Sequence, residues 1–273
     1  MNVVQRNLFC LIRNGVFDHH DRLEPMSVFK WNQLHQLAVA HGVARPVYMG
    51  LQHSTDQFFF HLTDHQKELW RKTMREVRDE NETFDDVFLR ADHLTNPVLN
   101  RRLQRILDDE NSNVNTRKLL LNLISITRHI LNEGVPVRQL MELGLLLREH
   151  IDHYDYTTLE RWLKDLNFWQ MAQLEGALLM MMFKFEENEI PFLQEEKDRN
   201  VTQVAQELVN VANTHMVDFS FSQNSDSIFV HTKNSSAMIG HIKRSVQYFR
   251  YIPSETITNF FVSFARSLAQ IEE

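Results

Sequence analysis

The sequence predicts a mainly α fold, a compact unit of about ten or more helices with a minor β component. Three observations carry this reading. Apolar residues recur at helical spacing along most of the chain. The seven glycines never cluster, and Gly42 and Gly134 sit where periodic runs end. Strand signals are confined to a short stretch near 85–91 and a hairpin pattern at 217–231.

Taken in order, residues 2–13 read as a first helix with Val3, Val4, Leu8, Leu11 and Ile12 on one face and Asn14-Gly15 as its stop. Ser27 is placed to cap a second helix carrying Phe29, Trp31, Leu34, Leu37 and Ala38. Gly42 ends it, and a third starts at Val43. Residues 54–63 read as a loop whose phenylalanines, Phe58 to Phe60, belong in the core. Capped by Asp64, a polar helix then runs to about Asn81 with Leu69, Met74 and Val77 inward.

The stretch from Asp86 to Leu147 organises the rest. It joins a short strand, an Arg-rich helix start and the two most apolar helices. Apolar residues at 119, 120, 121, 123, 124, 126, 130 and 131 cover more than one face, so the helix from Leu119 to Leu131 should be central. Glu133-Gly134 closes it, and Pro136 suits the first turn of the next helix, Val137 to about Arg148. So short a connection implies an antiparallel pair. Thr157 or Thr158 should cap a helix through Leu166, and Phe168 to Phe183 should form another whose Leu178–Met182 run fills core. Glu187 to Asp198 reads as an acidic, solvated connector broken by Pro191. Residues 200–213 return to helix. DFSFS and SIFVH then alternate around Gln223–Asp226 as a hairpin, and two helices, about 236–249 and 254–270, flank Pro253. The expected organisation is one unit, 1–273, with N-terminal helices in 1–84, a central core in 85–195 and a C-terminal hairpin and helices in 196–273.

With 273 residues and 43% hydrophobic composition the chain can bury a substantial core. A net charge of -7 and a pI near 6.1 argue against nucleic acid and anionic membranes as partners. The single Cys10 excludes a disulfide framework and a Cys-based zinc site. The sequence has no secretory segment and no apolar run of about eighteen residues, which predicts no membrane span and a cytoplasmic location.

Several polar groupings invite functional readings. His61 and His65 have a metal-like spacing, but a helix starting at Asp64 separates them. His150 and His153, with Glu149, Asp152 and Asp155, fall where solvated charge is expected at a helix end. Arg101, Arg102 and Arg105 form a basic patch that could fork onto phosphate oxygens, with Asp108, Asp109 and Glu110 close enough to neutralise it. Lys243, Arg244 and Arg250 interleave with Tyr248, Phe249 and Tyr251 on what reads as a packing helix. His129, Arg138, Gln139 and Glu142 are the polar members of the central apolar pair, either a structural network or the lining of a cleft.

The run Asn96-Pro97, Asn100-Arg101-Arg102-Leu103-Gln104-Arg105, then Arg128-His129, Glu133-Gly134 and Arg138-Gln139-Leu140, resembles a bacterial family of nucleotidyltransferases. Residues Leu37 to Tyr48 are similar to the helix, turn and helix that open such proteins, and Ile242 to Tyr251 resemble their closing basic-aromatic helix, so the resemblance covers most of the chain. It implies a Gly-Ser turn, an Asp-x-Asp pair and a third carboxylate that hold metal ions and nucleotide phosphates. Here no glycines cluster and no two aspartates stand two apart. Asp86 occupies the place of the third acid, and Phe88 that of a frequent family histidine.

The resulting expectation is a degenerate, non-catalytic relative with no cofactor and no metal ligands, Asp86 being at most a relic. It would serve as a helical scaffold or binding module for a protein partner or a phosphate-bearing ligand, with Arg101, Arg102, His129, Arg138, Gln139 and Glu142 as the ligand-binding candidates. The alternative is a nucleotidyltransferase using Mg²⁺ and a nucleoside triphosphate, which needs at least two converging carboxylates.

Overall fold

A computed structural model describes residues 1–55, 62–77, 91–132 and 137–193. Among these residues the chain is mainly helical, with nine α-helices and no strand: α1 (Val3–Val16), α2 (Val28–Ala40), α3 (Ala44–His53), α4 (Asp64–Val77), α5 (Pro97–Leu107), α6 (Val114–Asn132), α7 (Val137–His150), α8 (Tyr156–Asp165) and α9 (Trp169–Phe183). Residues 85–90 and the 217–231 hairpin lie outside the described residues, as do Phe58 to Phe60, the Glu133–Pro136 turn and both C-terminal helices; Ala91 sits in a turn.

α1 opens with a capping box in which the Asn2 and Gln5 side chains each accept the other's backbone N–H. It does not stop at Asn14-Gly15, as the sequence suggests, but continues to Val16. Asn14 is occupied differently. Its side chain accepts the Asp21 N–H and donates to the Asp21 carbonyl, each at 2.9 Å. Asn7 makes the same two-way contact with Glu24. The two asparagines are two helical turns apart on one face, so they bind the returning loop to α1 as a neighbouring strand would, which is why both can be buried. Gly15 serves close approach instead: a Cβ there would meet the Pro46 carbonyl oxygen at 2.1 Å, and one on Gly50 the Leu11 oxygen at 2.0 Å, so α1 and α3 touch backbone to backbone.

α2 is capped by Ser27 and ends as expected at Gly42, whose φ of 65° lets the Val43 N–H return to Ala38 O. Phe29 is not part of its buried face and stands 66% exposed. On α4 the cap is Thr63 rather than Asp64. Thr63 and Gln66 exchange side-chain and backbone hydrogen bonds, which leaves Asp64 to pair with Lys67. The inward stripe is Gln66, Trp70 and Thr73 rather than Leu69. That register lets Thr73 Oγ1 meet His35 Nε2 at 2.8 Å and Trp70 stack on Tyr48.

The central helix reads as expected. Leu119, Leu120, Leu123, Ile124, Ile126 and Ile130 of α6 are essentially inaccessible, and α6 contacts α7, α8 and α9. α8 is capped by Asp155, not by Thr157 or Thr158. The Asp155 side chain accepts the Thr158 N–H, while its own N–H donates to Thr116 Oγ1 on α6, so the cap is also the tie between the helices. Asn167, at φ 60°, takes the left-handed position that turns α8 into α9. After α9 the chain is not simply solvated. Phe185, Ile190 and Phe192 are buried, and Glu189 pairs with Arg148 of α7 at 2.8 Å. The Arg148 guanidinium also donates to the Phe17 carbonyl and lies over the Phe17 and Phe185 rings. Among the described residues the buried aliphatic and aromatic side chains form one cluster. No helix among the described residues is long and apolar enough to cross a membrane.

Candidate functional site

The start of α5 is built by its own short polar residues. Pro97 occupies the first turn, and the Asn96 side chain accepts the Val98 and Leu99 N–H groups. One turn on, Asn100 Oδ1 accepts the Leu94 N–H at 2.9 Å, and Gln104 Nε2 donates to the Asp92 carbonyl at 2.6 Å. These bonds fold the segment 91–96 back along the helix. Between segment and helix lies an open depression of about 480 Å³ lined by His93, Leu94, Thr95, Pro97, Asn100, Arg101 and Gln104.

Arg101 projects into this depression from an exposed position, and among the described residues no ion pair or hydrogen bond takes up its guanidinium. Arg128, near the end of α6, reaches the rim by donating to the His93 carbonyl at 3.0 Å. His129, half-buried, is its neighbour on that last turn.

The other arginines go elsewhere. Arg102 donates to the Asp165 carbonyl at the end of α8, where a cation complements the helix dipole. Arg138 pairs with Glu142 at 2.9 Å, and its stem lies against the Gly42 turn, 3.3 Å from where a Cβ would be. Gln139 is half-buried on α7. The guanidinium groups of Arg101, Arg102 and Arg138 thus have three separate addresses.

His150 and His153 stack face to face, with centroids 5.3 Å apart, while Asp155 is engaged as a helix cap. Among the described residues no three His, Cys, Asp or Glu side chains are grouped to hold a metal ion. Asp86, Phe88, His61 and the Lys243–Tyr251 segment lie outside the described residues.

Two features escape reading by sequence spacing. His93 and Gln104 belong to the depression, and only the Asn-Pro start between them hints that the chain folds back there. In the core, Glu175 is fully buried, with Thr127 Oγ1 donating to its Oε1 at 2.8 Å. The signal was a lone acid inside the apolar run Met171–Phe183.

Burial also moves several titrations. The His41 imidazole is pushed down to about 4 and the Cys10 thiol up to about 11, which leaves that thiol unreactive as a nucleophile at neutral pH.

No family model matches the chain, and neither the curated proteins nor the solved structures contain a match to it.

Proposed function

We propose that this protein is a non-catalytic relative of the nucleotidyltransferases, a helical binding module that holds a phosphate-bearing ligand in the depression at the start of α5. One observation carries the reading. Asn96 to Arg105, one of the segments that carry the family resemblance, builds the depression together with residues 93–95, and it presents there the guanidinium of Arg101, unpaired among the described residues. An arginine fork matches two phosphate oxygens, and His93 can add a second donor. Asn100 and Gln104 are held by backbone bonds, so the surroundings of the fork are set before a ligand arrives. The depression is large enough for more than an inorganic ion, small-molecule sites commonly being about 300–1,000 Å³.

The test is calorimetric titration with inorganic phosphate, pyrophosphate and a nucleoside monophosphate. Arg101→Ala should weaken binding by about 10- to 100-fold, the equivalent of losing a hydrogen bond to a charged group, with thermal stability unchanged. Binding that is equally strong in Arg101→Ala, or absent from the parent protein, refutes the proposal.

A further inference from the structure

Glu175 sits at the middle of α9 with none of its surface exposed. Its Oε1 accepts the Thr127 hydroxyl of α6, and its Oε2 is buried without a partner among the described residues. Burial holds this carboxyl well above the usual carboxylate range, the Thr127 bond acting weakly in the other direction.

α9 packs against α1, α6, α7 and α8, and the charges of those helices are committed elsewhere. Arg6 pairs with Glu24, and Arg13 with Asp21 and the Met182 carbonyl. Arg117 and Arg128 donate to the carbonyls of Leu107 and His93. Arg138 pairs with Glu142, Arg148 with Glu189 and Lys164 with Glu160. Lys118, Glu149, His150, Arg161 and Asp165 are exposed, and His129 is half-buried at the far end of α6. Of the remaining titratable groups, Cys10 faces the Asp21 and Arg22 carbonyls, and the Tyr156 hydroxyl is buried without a partner. Among the described residues Thr127 alone bonds to Glu175.

We propose that the Glu175–Thr127 contact is a proton-gated latch between α6 and α9, closed while the carboxyl keeps its proton and released when that proton leaves to solvent. An ionised carboxylate with one hydroxyl partner is strongly disfavoured in an apolar core, because burial strips its hydration and no countercharge among the described residues replaces it. Deprotonation and separation of the two helices are therefore a single event.

The sign follows from linkage. A carboxyl whose folded value is raised stabilises the closed form fully below its ordinary value of 4.5, and that stabilisation fades as pH rises toward the folded value. His19, His35 and His41, all shifted below 6.5 by burial, act in the opposite sense beneath pH 6.5. Cys10 enters only above about 9. Among the described residues the latch is therefore isolated between about pH 6.5 and 9, where the closed-to-open ratio falls by up to about tenfold per pH unit.

The experiment is amide hydrogen exchange of α6 and α9 across that window, corrected for the intrinsic rate. The full-length protein should lose up to tenfold in protection per pH unit, and Glu175→Gln, which keeps the shape without the titration, should lose none. An equal slope in Glu175→Gln, or no slope in the parent, overturns the latch. Should the Gln variant fail to fold, carboxyl ¹³C spectra of the unmutated protein decide. One glutamate should keep its protonated shift at pH values where the others have ionised, and finding every glutamate titrating together overturns the proposal.

Discussion

Replacing Gly50 by alanine tests the innermost contact of the N-terminal helices. The new Cβ would lie 2.0 Å from the Leu11 carbonyl oxygen and 2.7 Å from its carbon. Carbon–oxygen contacts settle at about 3.3–3.6 Å, so α3 must retreat from α1 by about 1 Å or more. The obstacle is helix backbone already hydrogen-bonded within its own turn, and it has no rotamer to change. Retreat by that distance forfeits about a quarter to a half of the dispersion energy of each contact across the interface. That interface buries Leu8, Leu11, Ile12, Val47 and Leu51. Overpacking of this kind costs about 1–3 kcal/mol and more where the backbone is involved, against about 1 kcal/mol gained from alanine's helix propensity. The obstacle being backbone, the cost lies at the upper end or beyond, and the expected result is a net loss of about 2 kcal/mol or more in urea unfolding followed by circular dichroism. Gly176→Ala is the internal control. Its Cβ would crowd Leu193 Cδ1 at 2.9 Å, the end of a side chain that can rotate away, and meet Ile190 Cγ2 at an ordinary 3.5 Å, so its stability should change by less than about 1 kcal/mol. If Gly50→Ala proves as stable as the parent, α1 and α3 do not cross backbone to backbone.

Further outcomes concern the core, the loop after α1 and the depression. Leu123, 1% exposed in the middle of α6, should cost about 2–5 kcal/mol when cut to alanine, and a loss under about 0.5 kcal/mol in chemical denaturation would contradict its central position. Burial alone would raise the Asp21 carboxyl, but hydrogen bonds from Lys184 and Arg13 outweigh it and hold the group below its ordinary value of 3.8. Its contribution is therefore full above about pH 4 and disappears as pH falls below that. Asp21→Asn should lower stability by about 2–3 kcal/mol at pH 7 and flatten the acid limb of the stability profile, and an unchanged acid limb would show that Asp21 is not held by those cations. Arg101→Ala separates ligand binding from folding, as set out above.

Local chemistry made much of this protein legible from its residues alone. Periodicity placed the helices because a helix buries one face or several at a fixed angular step, a property of the chain before any partner is present. The apolar breadth of Leu119–Leu131 marked the central helix for the same reason, and Gly42 marked a helix end because a residue at positive φ is a local steric requirement.

The tertiary structure decided what each polar side chain does, since a hydrogen-bond partner distant in sequence leaves no trace in spacing. Asn14 looked like a helix stop until Asp21 returned to it, and Asp155 took the cap at α8 because its own N–H was already tied to Thr116. Of the candidate ligand-binding arginines, Arg102 was drawn to a helix end, Arg138 to Glu142 one turn away, and Arg101 to the depression. Gly15 read as part of a helix stop and Gly50 as an ordinary helix residue, and only the crossing of α1 and α3 gives their missing side chains a purpose. Glu175 in its apolar run drew no reading from the sequence, and its bond to Thr127 depended on where α6 placed that hydroxyl.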